Sequence, residues 1–331
     1  MPELAHVIGG VVMLAMIAYI VSGGADFGGG VWELFARGPR AEQQVRALRA
    51  AIAPIWEANH VWLILVVVLL FVCFPTAFAA ITVALYVPIM LLLVGIVLRG
   101  AAFAFQSYSA GDRAVERHSV RLFRAASTVT PMALGVVAGA VAGGYVRVDA
   151  TSGVVTGTVR PWLEPFPLLV GLMTLGLCSY LAAVYMTVET EGDLRQDFRR
   201  RAIVTGIVVG VVALPTAFVA RASVPIIGVP LLGSAWSLPF HVCTAVVAIA
   251  ALVALAWHRF RLARALAIAQ TASILIGWAL AQYPYVLAPD LRIDACAAEA
   301  PVLASTVTVL GIGTALLLPA FVWLYRVFKT H

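Results

Sequence analysis

Seven consecutive residues, Trp56 to Trp62 with the sequence WEANHVW, place an acid, an amide, an imidazole and two indoles inside an otherwise apolar stretch. A charged side chain in hydrocarbon costs at least about 2.5 kcal/mol, so membrane proteins that carry one usually use it. On a helix Glu57 and His60 share a face, as do Asn59 and Trp62. A carboxylate beside an imidazole suits proton transfer, because their ordinary pKa values are about 4.3 and 6.5. The segment predicts a proton relay. The alternative is an interfacial pair held by loop arginines and flanked by an aromatic belt.

Asp26 is a second acid in an apolar run, and it lies in the glycine-rich sequence SGGADFGGG from Ser22 to Gly30. Each glycine disfavours a helix by up to about 1 kcal/mol relative to alanine, which indicates a kink, a break or a very close helix contact. The run is no phosphate-binding loop, because it lacks the lysine and hydroxyl residue of that motif. Asp26 is therefore a second candidate for proton transfer. The alternative is that it caps or stops the first span.

Arg99 is the third candidate, at the predicted end of the third span. A tight turn at Phe74–Thr76 is expected to make the second and third spans antiparallel neighbours, with Arg99 and Glu57 near the same membrane face. Pairing with Glu57 or Asp26 is one interpretation. The other is an arginine whose head group reaches out to the membrane surface.

These residues must be held by membrane helices, because the chain is 62% hydrophobic and 11% charged with a mean hydropathy of +0.99. Soluble domains are about half apolar and a quarter charged. The 331 residues allow about nine spans of roughly 20 residues each. The predicted spans are 6–21, 54–74, 77–98, 125–146, 167–188, 202–220, 236–257, 262–283 and 302–325.

The basic residues indicate the orientation of the spans. Only Arg147, Arg160, Arg221 and Arg292 of the 22 lysines and arginines fall in loops on the side where the first span begins. Cytoplasmic loops are enriched in basic residues, so the N-terminus is predicted outside and the C-terminus inside. The net charge of +6 is therefore a topology signal rather than a nucleic-acid footprint.

The six histidines do not predict a haem or metal site in this chain. They fall in loops or near different ends of the spans, so no two face each other at one depth. Spacings such as HxxxH and HExxH are absent. We expect no directly bound cofactor.

Four sequence elements together resemble subunit II of the cytochrome bd-type quinol oxidases. These are GADFGGG at 24–30, APIWEANHVWLI at 53–64, LRG at 98–100 followed by Phe103, and YPY at 283–285. The tryptophan-acid-x-Asn-x-x-Trp element is the specific one, and the likeness extends over the whole chain in order and spacing.

The resemblance implies an all-α integral membrane protein of one transmembrane domain, residues 1–331. Nine helices would form two four-helix bundles, about 1–146 and 167–283, plus a peripheral helix at 302–325. The family resides in the bacterial cytoplasmic membrane. There a haem-bearing subunit I, with b-type and d-type haems or b-type haems alone, oxidises quinol and reduces O2 to water.

For this chain the resemblance implies support of assembly, of proton uptake and of oxygen access. Glu57, His60, Arg99 and Asp26 form the predicted proton pathway. Trp56, Trp62 and Asn59 are assigned to oxygen access and packing. A structural quinone or lipid and a small single-helix accessory subunit are further expected partners.

Two departures from the family pattern affect the proton pathway. Many members carry an acid and an arginine where this chain has Phe103-Ala104-Phe105-Gln106. An extra acid before the first-span glycines is replaced by Gly23 or a neighbour. A proton-coupled secondary transporter, using Asp26 at a broken first helix and Glu57 as the coupling site, is the alternative function. A purely structural anchor is a third.

Overall fold

The computed structural model describes residues 2–52, 56–108, 113–149 and 154–329. Over these residues the chain is almost entirely helical, with two short antiparallel hairpins. The helices are α1 (Pro2–Leu34), α2 (Ala41–Ile52), α3 (Trp56–Cys73), α4 (Pro75–Ala84), α5 (Tyr86–Tyr108), α6 (Arg113–Ala142), α7 (Pro165–Glu189), α8 (Gly192–Ser223), α9 (Pro225–Gly233), α10 (Ser237–Ala256), α11 (Phe260–Gln282), α12 (Ile293–Cys296) and α13 (Ala300–Lys329).

Eight of the described helices are long and apolar enough to cross a membrane, and the bent pair α3 and α4 makes a ninth if counted as one span. The prediction of an all-α membrane protein with about nine spans is therefore confirmed. We call the side on which α1 begins the N-terminal face and the side on which it ends the opposite face.

The first span is longer than predicted, because α1 continues from Pro2 through the glycine run to Leu34. The run does not break the helix, and Asp26 does not end it. The glycines instead permit close packing: a Cβ on Gly28 would lie 2.0 Å from the carbonyl oxygen of Cys178 in α7. Of the expected alternatives, close helix contact is the one observed.

The turn expected at Phe74–Thr76 is instead a sharp bend. Pro75 cannot donate a backbone hydrogen bond, so the ladder of α3 ends there and a new helix begins. α4 leaves α3 at 117°. The third span consequently begins at Tyr86 instead of Ala77, and α3 packs mainly on α1 rather than on α5.

The packing is organised around α1 and α7, which contact each other in the core. α1 also contacts α3 and α6, while α5 packs on α6; α7 contacts α8 and α11, and α10 packs on α11. α13 contacts α1 and α3, and only 6% of its apolar segment Ala300–Leu317 is buried.

Two hairpins and α4 lie together on the N-terminal face. β1 (Val146–Val148) pairs with β2 (Val155–Gly157), and β3 (Tyr285–Leu287) pairs with β4 (Leu291–Arg292). α4 contacts strands from both hairpins. A single 3-10 turn at Pro161–Leu163 precedes α7.

Candidate functional site

The residues of the predicted proton pathway are brought together in part. Asp26, Asn59 and Arg99 belong to three different helices, α1, α3 and α5, and are buried in the protein interior, while His60 of α3 is partly buried. Glu57 lies in α3, but its side chain and that of Trp56 lie outside the described residues. The predicted pairs of Glu57 with His60 and with Arg99 therefore stay predictions.

Asp26 and Asn59 form the centre of this cluster. Their side chains are 3% and 5% exposed, and the Asn59 amide Nδ2 donates a hydrogen bond to Oδ2 of Asp26. The bond joins α1 to α3 across 33 positions of sequence. A buried carboxylate needs such a partner, because leaving it unpaired costs several kcal/mol. Asn59, predicted to serve packing, is thus a direct partner of the acid.

Arg99 does not reach the membrane surface, as the simpler interpretation expected. It is 2% exposed, and α5 continues beyond it to Tyr108, so the span does not close there. Its Nε donates to the Ser127 hydroxyl of α6 at 3.3 Å, and its guanidinium lies 4.9 Å from the ring centroid of Phe27 and 5.2 Å from that of Phe123. Its charge acts on Asp26 and Glu33.

Gly30 explains how Arg99 and Ser127 can approach α1. A Cβ on Gly30 would lie 2.2 Å from the Ser127 hydroxyl oxygen and 3.2 Å from the Phe123 ring. Because Asp26 and Gly30 are one helical turn apart, the arginine and the acid lie at neighbouring levels of the same face. The absent side chain at Gly30 therefore provides the space for the polar cluster.

His60 adds an imidazole to the edge of the cluster. Its ring centroid lies 6.1 Å from those of both Tyr19 and Phe27. The His60 Nδ1, the Tyr19 hydroxyl and the Arg99 Nη2 are buried atoms without a hydrogen-bond partner among the described residues. Polar atoms of this kind can each bond an ordered water molecule. The cluster therefore contains a carboxylate, an imidazole and a phenol, three groups whose side chains can each gain or lose a proton.

Trp62 lies apart from the cluster. Its side chain is 37% exposed on the outer surface of α3, next to Val61 at 58%. An exposed indole at this position can contact lipid or a neighbouring subunit. Trp62 is thus the exposed and Asn59 the buried member of the pair predicted on α3.

Glu33 is a buried acid that the sequence predictions missed. Its side chain has 0% exposure, and its carboxylate binds Arg49 of α2 at 2.8 and 3.3 Å and lies 3.6 Å from Arg124 of α6. The missed signal was its spacing of seven residues from Asp26, which puts both acids on one face of a continuous helix. The expectation that the first span ends near Val21 concealed this.

A second missed cluster joins α2 to α8 on the opposite face. Arg40 donates two hydrogen bonds to Asp197, at 2.8 and 2.7 Å, and Gln44 donates to the same carboxylate at 3.0 Å. Arg201 bonds Gln44 at 2.7 Å, and its guanidinium lies 4.9 Å from the ring centroid of Trp32. This network holds α2 against α8.

Among the described residues, no group of three or more histidines, cysteines, aspartates or glutamates is arranged to hold a metal ion. The buried Asp26, Arg99 and Glu33 side chains are bonded to Asn59, Ser127 and Arg49, respectively.

Comparison with known proteins gives consistent matches. The family described as cytochrome bd terminal oxidase subunit II matches residues 4–328. The chain is 30% identical over 200 residues to the cytochrome bd-I ubiquinol oxidase subunit 2 of Escherichia coli K12, covering 58% of this chain and 51% of that protein. It is 27% identical over 191 residues to the cytochrome bd ubiquinol oxidase subunit 2 of Bacillus subtilis, covering 58% and 55%.

The matched region thus spans about half the length of these relatives. The fold matches over almost the entire chain: the bd oxidase of Geobacillus thermodenitrificans superposes with a TM-score of 0.76, at 21% identity and with 99% of both chains covered. At this identity the superposition shows the fold alone. The family match over residues 4–328 goes further, and the chain belongs to the cytochrome bd terminal oxidase subunit II family.

Proposed function

We propose that this chain is the non-haem subunit of a membrane complex that couples oxidation of quinol to reduction of O2 to water. Family membership supports this, as do the relatives, whose names include both ubiquinol and menaquinol oxidases. The partner is a subunit I that carries the haems and the active centre. A small single-helix subunit, a structural quinone and lipid are further proposed partners.

The observation that carries a specific role is the buried cluster of Asp26, Asn59 and Arg99. An intramembrane acid that is bonded, charge-balanced and surrounded by other polar groups is typical of a proton pathway. We propose that protons enter from the opposite face, on which the basic loops lie and which the positive-inside rule assigns to the cytoplasm. Glu57 and His60 of α3 complete this proposed route.

The proposed orientation puts the N-terminus outside a bacterial cytoplasmic membrane and the C-terminus inside. Trp62 is the proposed oxygen-access position, because its indole reaches the surface of α3. Trp56, the second proposed position, precedes it by six residues on the same helix. A gas molecule can arrive there from lipid or from the interface with the partner.

The alternative of a proton-coupled transporter uses Asp26 at a broken first helix and Glu57 as the coupling site. α1 is continuous from Pro2 to Leu34, and the Asp26 carboxylate accepts a hydrogen bond from Asn59 of α3. No structural feature of α1 thus favours transport over the oxidase role.

One purification series tests this proposal. The complex is isolated through an affinity tag on this chain, as wild type and as Asp26→Asn, from cells lacking other terminal oxidases. We expect both to carry the haem spectrum of the partner. Wild type should consume O2 with ubiquinol or menaquinol, and Asp26→Asn should do so on the order of tenfold more slowly, because an amide cannot relay a proton.

The matched control is Glu191→Gln. Glu191 is an acid on the opposite face, between α7 and α8, and its side chain is 93% exposed. It should retain the wild-type rate. Isolation of the tagged chain without any haem-bearing partner would contradict the subunit role. Wild-type oxygen consumption and proton uptake by Asp26→Asn would contradict the proton role.

A further inference from the structure

Glu33 is a fully buried acid that is nonetheless connected to water through its partners. The Glu33 side chain has 0% exposure, whereas those of Arg49 and Arg124 have 31% and 30%. These arginines come from α2 and α6, the elements that line the opposite face beside the end of α1. The buried carboxylate is therefore in contact with two side chains that themselves reach solvent.

Glu33 and Asp26 lie on one face of α1. Seven residues correspond to two helical turns and about 10 Å along the axis. Gly30 lies between them, and there Ser127 packs against the backbone and accepts the hydrogen bond from Arg99. From the opposite face inwards, the order is thus the two outer arginines, Glu33, Ser127 with Arg99, and Asp26 with Asn59.

The groups between the two acids can pass a proton. The Ser127 hydroxyl accepts from Arg99 Nε, so its own proton is free to be donated. Arg99 Nη2 and the Thr130 hydroxyl are buried and have no hydrogen-bond partner among the described residues. Each of these two groups can bond an ordered water molecule, which an apolar side chain cannot do. Such water molecules could carry a proton between Glu33 and Asp26.

Among the described residues, Arg49 of α2 and Arg124 of α6 pair with Glu33, the charge of Arg99 from α5 acts on it, and Asp26 lies two turns away on its own helix. Signs alternate from the surface inwards: positive, negative, positive, negative. Arg49 is hydrogen-bonded to Glu33, whereas Arg124 Nε has no hydrogen-bond partner within the described part of the chain. A partly exposed Arg49 can turn to water when Glu33 takes up a proton, and return when the proton leaves.

We propose that Glu33 is the first carboxylate of the proton route, receiving protons from the opposite face and passing them through Ser127 toward Asp26. This rests on the proposed role of the chain in proton uptake. The step is a proton transfer only: water loses a proton, Glu33 becomes neutral, and the proton then moves inward to the Asp26 carboxylate. Glu33 is thereby returned to its ion pair with Arg49.

The competing interpretation is a structural ion pair that joins α1, α2 and α6. A proton relay and a structural ion pair differ in how the protein responds when Glu33 and its arginines are replaced by apolar residues. A buried ion pair can often be replaced by packed hydrophobic side chains with neutral or favourable effect on stability. A relay cannot be replaced in this way, because no apolar side chain accepts a proton.

The test uses the purified complex with Glu33→Gln, Glu33→Asp and the triple variant Glu33→Leu/Arg49→Leu/Arg124→Met. Proton uptake is followed with a pH-indicator dye in weakly buffered solution while O2 is consumed, across pH 6 to 9. We expect Glu33→Gln and the triple variant to slow uptake on the order of tenfold with an unchanged haem spectrum. Glu33→Asp should recover most of the rate with a displaced pH profile.

Asp26→Asn and Glu191→Gln are measured in parallel. Wild-type uptake by the triple variant or by Glu33→Gln, together with slow uptake by Asp26→Asn, would overturn the role of Glu33 and leave the proposed function intact. Wild-type uptake by Asp26→Asn would overturn both. If Glu33→Gln fails to assemble, the triple variant decides; failure of both to assemble would identify Glu33 as structural and contradict the relay.

Discussion

At the scale of single residues, the buried Asp26 carboxylate is stabilised by one hydrogen-bond donor and one nearby positive charge. Asn59 supplies the hydrogen bond to Asp26, and Arg99 supplies the positive charge while its own guanidinium rests against the rings of Phe27 and Phe123. Cation–π contacts of this kind stabilise a buried arginine without neutralising it. Arg99 therefore remains available to respond to the charge of Asp26.

Asn59→Ala should destabilise the complex, because it removes the described hydrogen-bond donor of a buried carboxylate. A buried polar group left without its partner costs about 1–3 kcal/mol. Thermal denaturation of the purified complex measures the effect. Val61→Ala is the control on the same helix, since Val61 is 58% exposed. Equal melting temperatures for the two variants would contradict a stabilising role of the Asn59–Asp26 bond.

At the scale of elements, two devices determine the helix arrangement. Glycines at 24, 28 and 30 let α1 approach α7 and α6 closely. Prolines at 75 and 225 end α3 and α8 in the same way: the preceding residues, Phe74 and Val224, have φ/ψ of −134°/56° and −133°/65°, and a short helix follows each. The two halves of the chain thus repeat one bend on the N-terminal face.

Gly28→Ala should impair the contact between α1 and α7. The new Cβ would lie 2.0 Å from the Cys178 carbonyl oxygen and 2.7 Å from the Ala182 Cβ, so the helices must separate. Overpacking of this kind costs about 1–3 kcal/mol. Gly10→Ala in the same helix is the matched control, because nothing lies within 4 Å of its Cβ. Thermal stability and yield of the complex should fall for the first variant only; parallel losses would argue against the contact.

At the scale of the whole molecule, ion pairs tie distant segments together on both faces. On the opposite face Arg40 and Asp197 connect the start of α2 to α8. On the N-terminal face Arg147 of β1 binds Asp290 through two hydrogen bonds of 2.8 and 2.9 Å, and the Val148 N–H donates to the same carboxylate at 2.8 Å. This second pair connects the α6–α7 segment to the α11–α13 segment.

The Arg147–Asp290 pair should make stability depend on pH in acid. The Arg147 guanidinium, with the Val148 N–H, holds the pKa of Asp290 below its ordinary value against the opposing effect of burial. Its stabilisation is therefore complete above the unfolded-state pKa of about 3.9 and is lost as pH falls through the lower folded-state pKa. We expect Asp290→Asn to lower stability by about 1 kcal/mol or less at pH 7.

The measurement compares melting temperatures of wild type and Asp290→Asn between pH 7 and pH 3. The difference should be constant from pH 7 to pH 5 and shrink below pH 4, because the wild-type carboxyl is then losing its charge. Asp294→Asn, whose carboxylate side chain is 41% exposed, provides a comparison on the same face. A difference for Asp290→Asn that does not change with pH would contradict the assignment.

Sequence alone predicted the class of protein, the number of spans and several of the polar residues within them, although not Glu33. It could do so because an apolar run of about 20 residues is typical of a transmembrane helix. A charged side chain in such a run has a high free-energy cost wherever the helix packs, so it indicates a function. The motifs around Asp26, Glu57 and Arg99 also indicated the family. The span ends were less predictable, since α1 continues 13 residues beyond Val21 to Leu34 and Pro75 begins a bent helix rather than a tight turn.

Only the tertiary structure decided which polar groups meet. Asp26 bonds Asn59, Arg99 bonds Ser127, and Glu33 pairs with Arg49 and Arg124. Each of these contacts joins two helices that pack against each other. Sequence spacing gives the face of one helix, but not the rotation or depth at which two helices pack. The space left by Gly28 and Gly30 sets that depth, and with it the line of charges from Arg49 to Asp26.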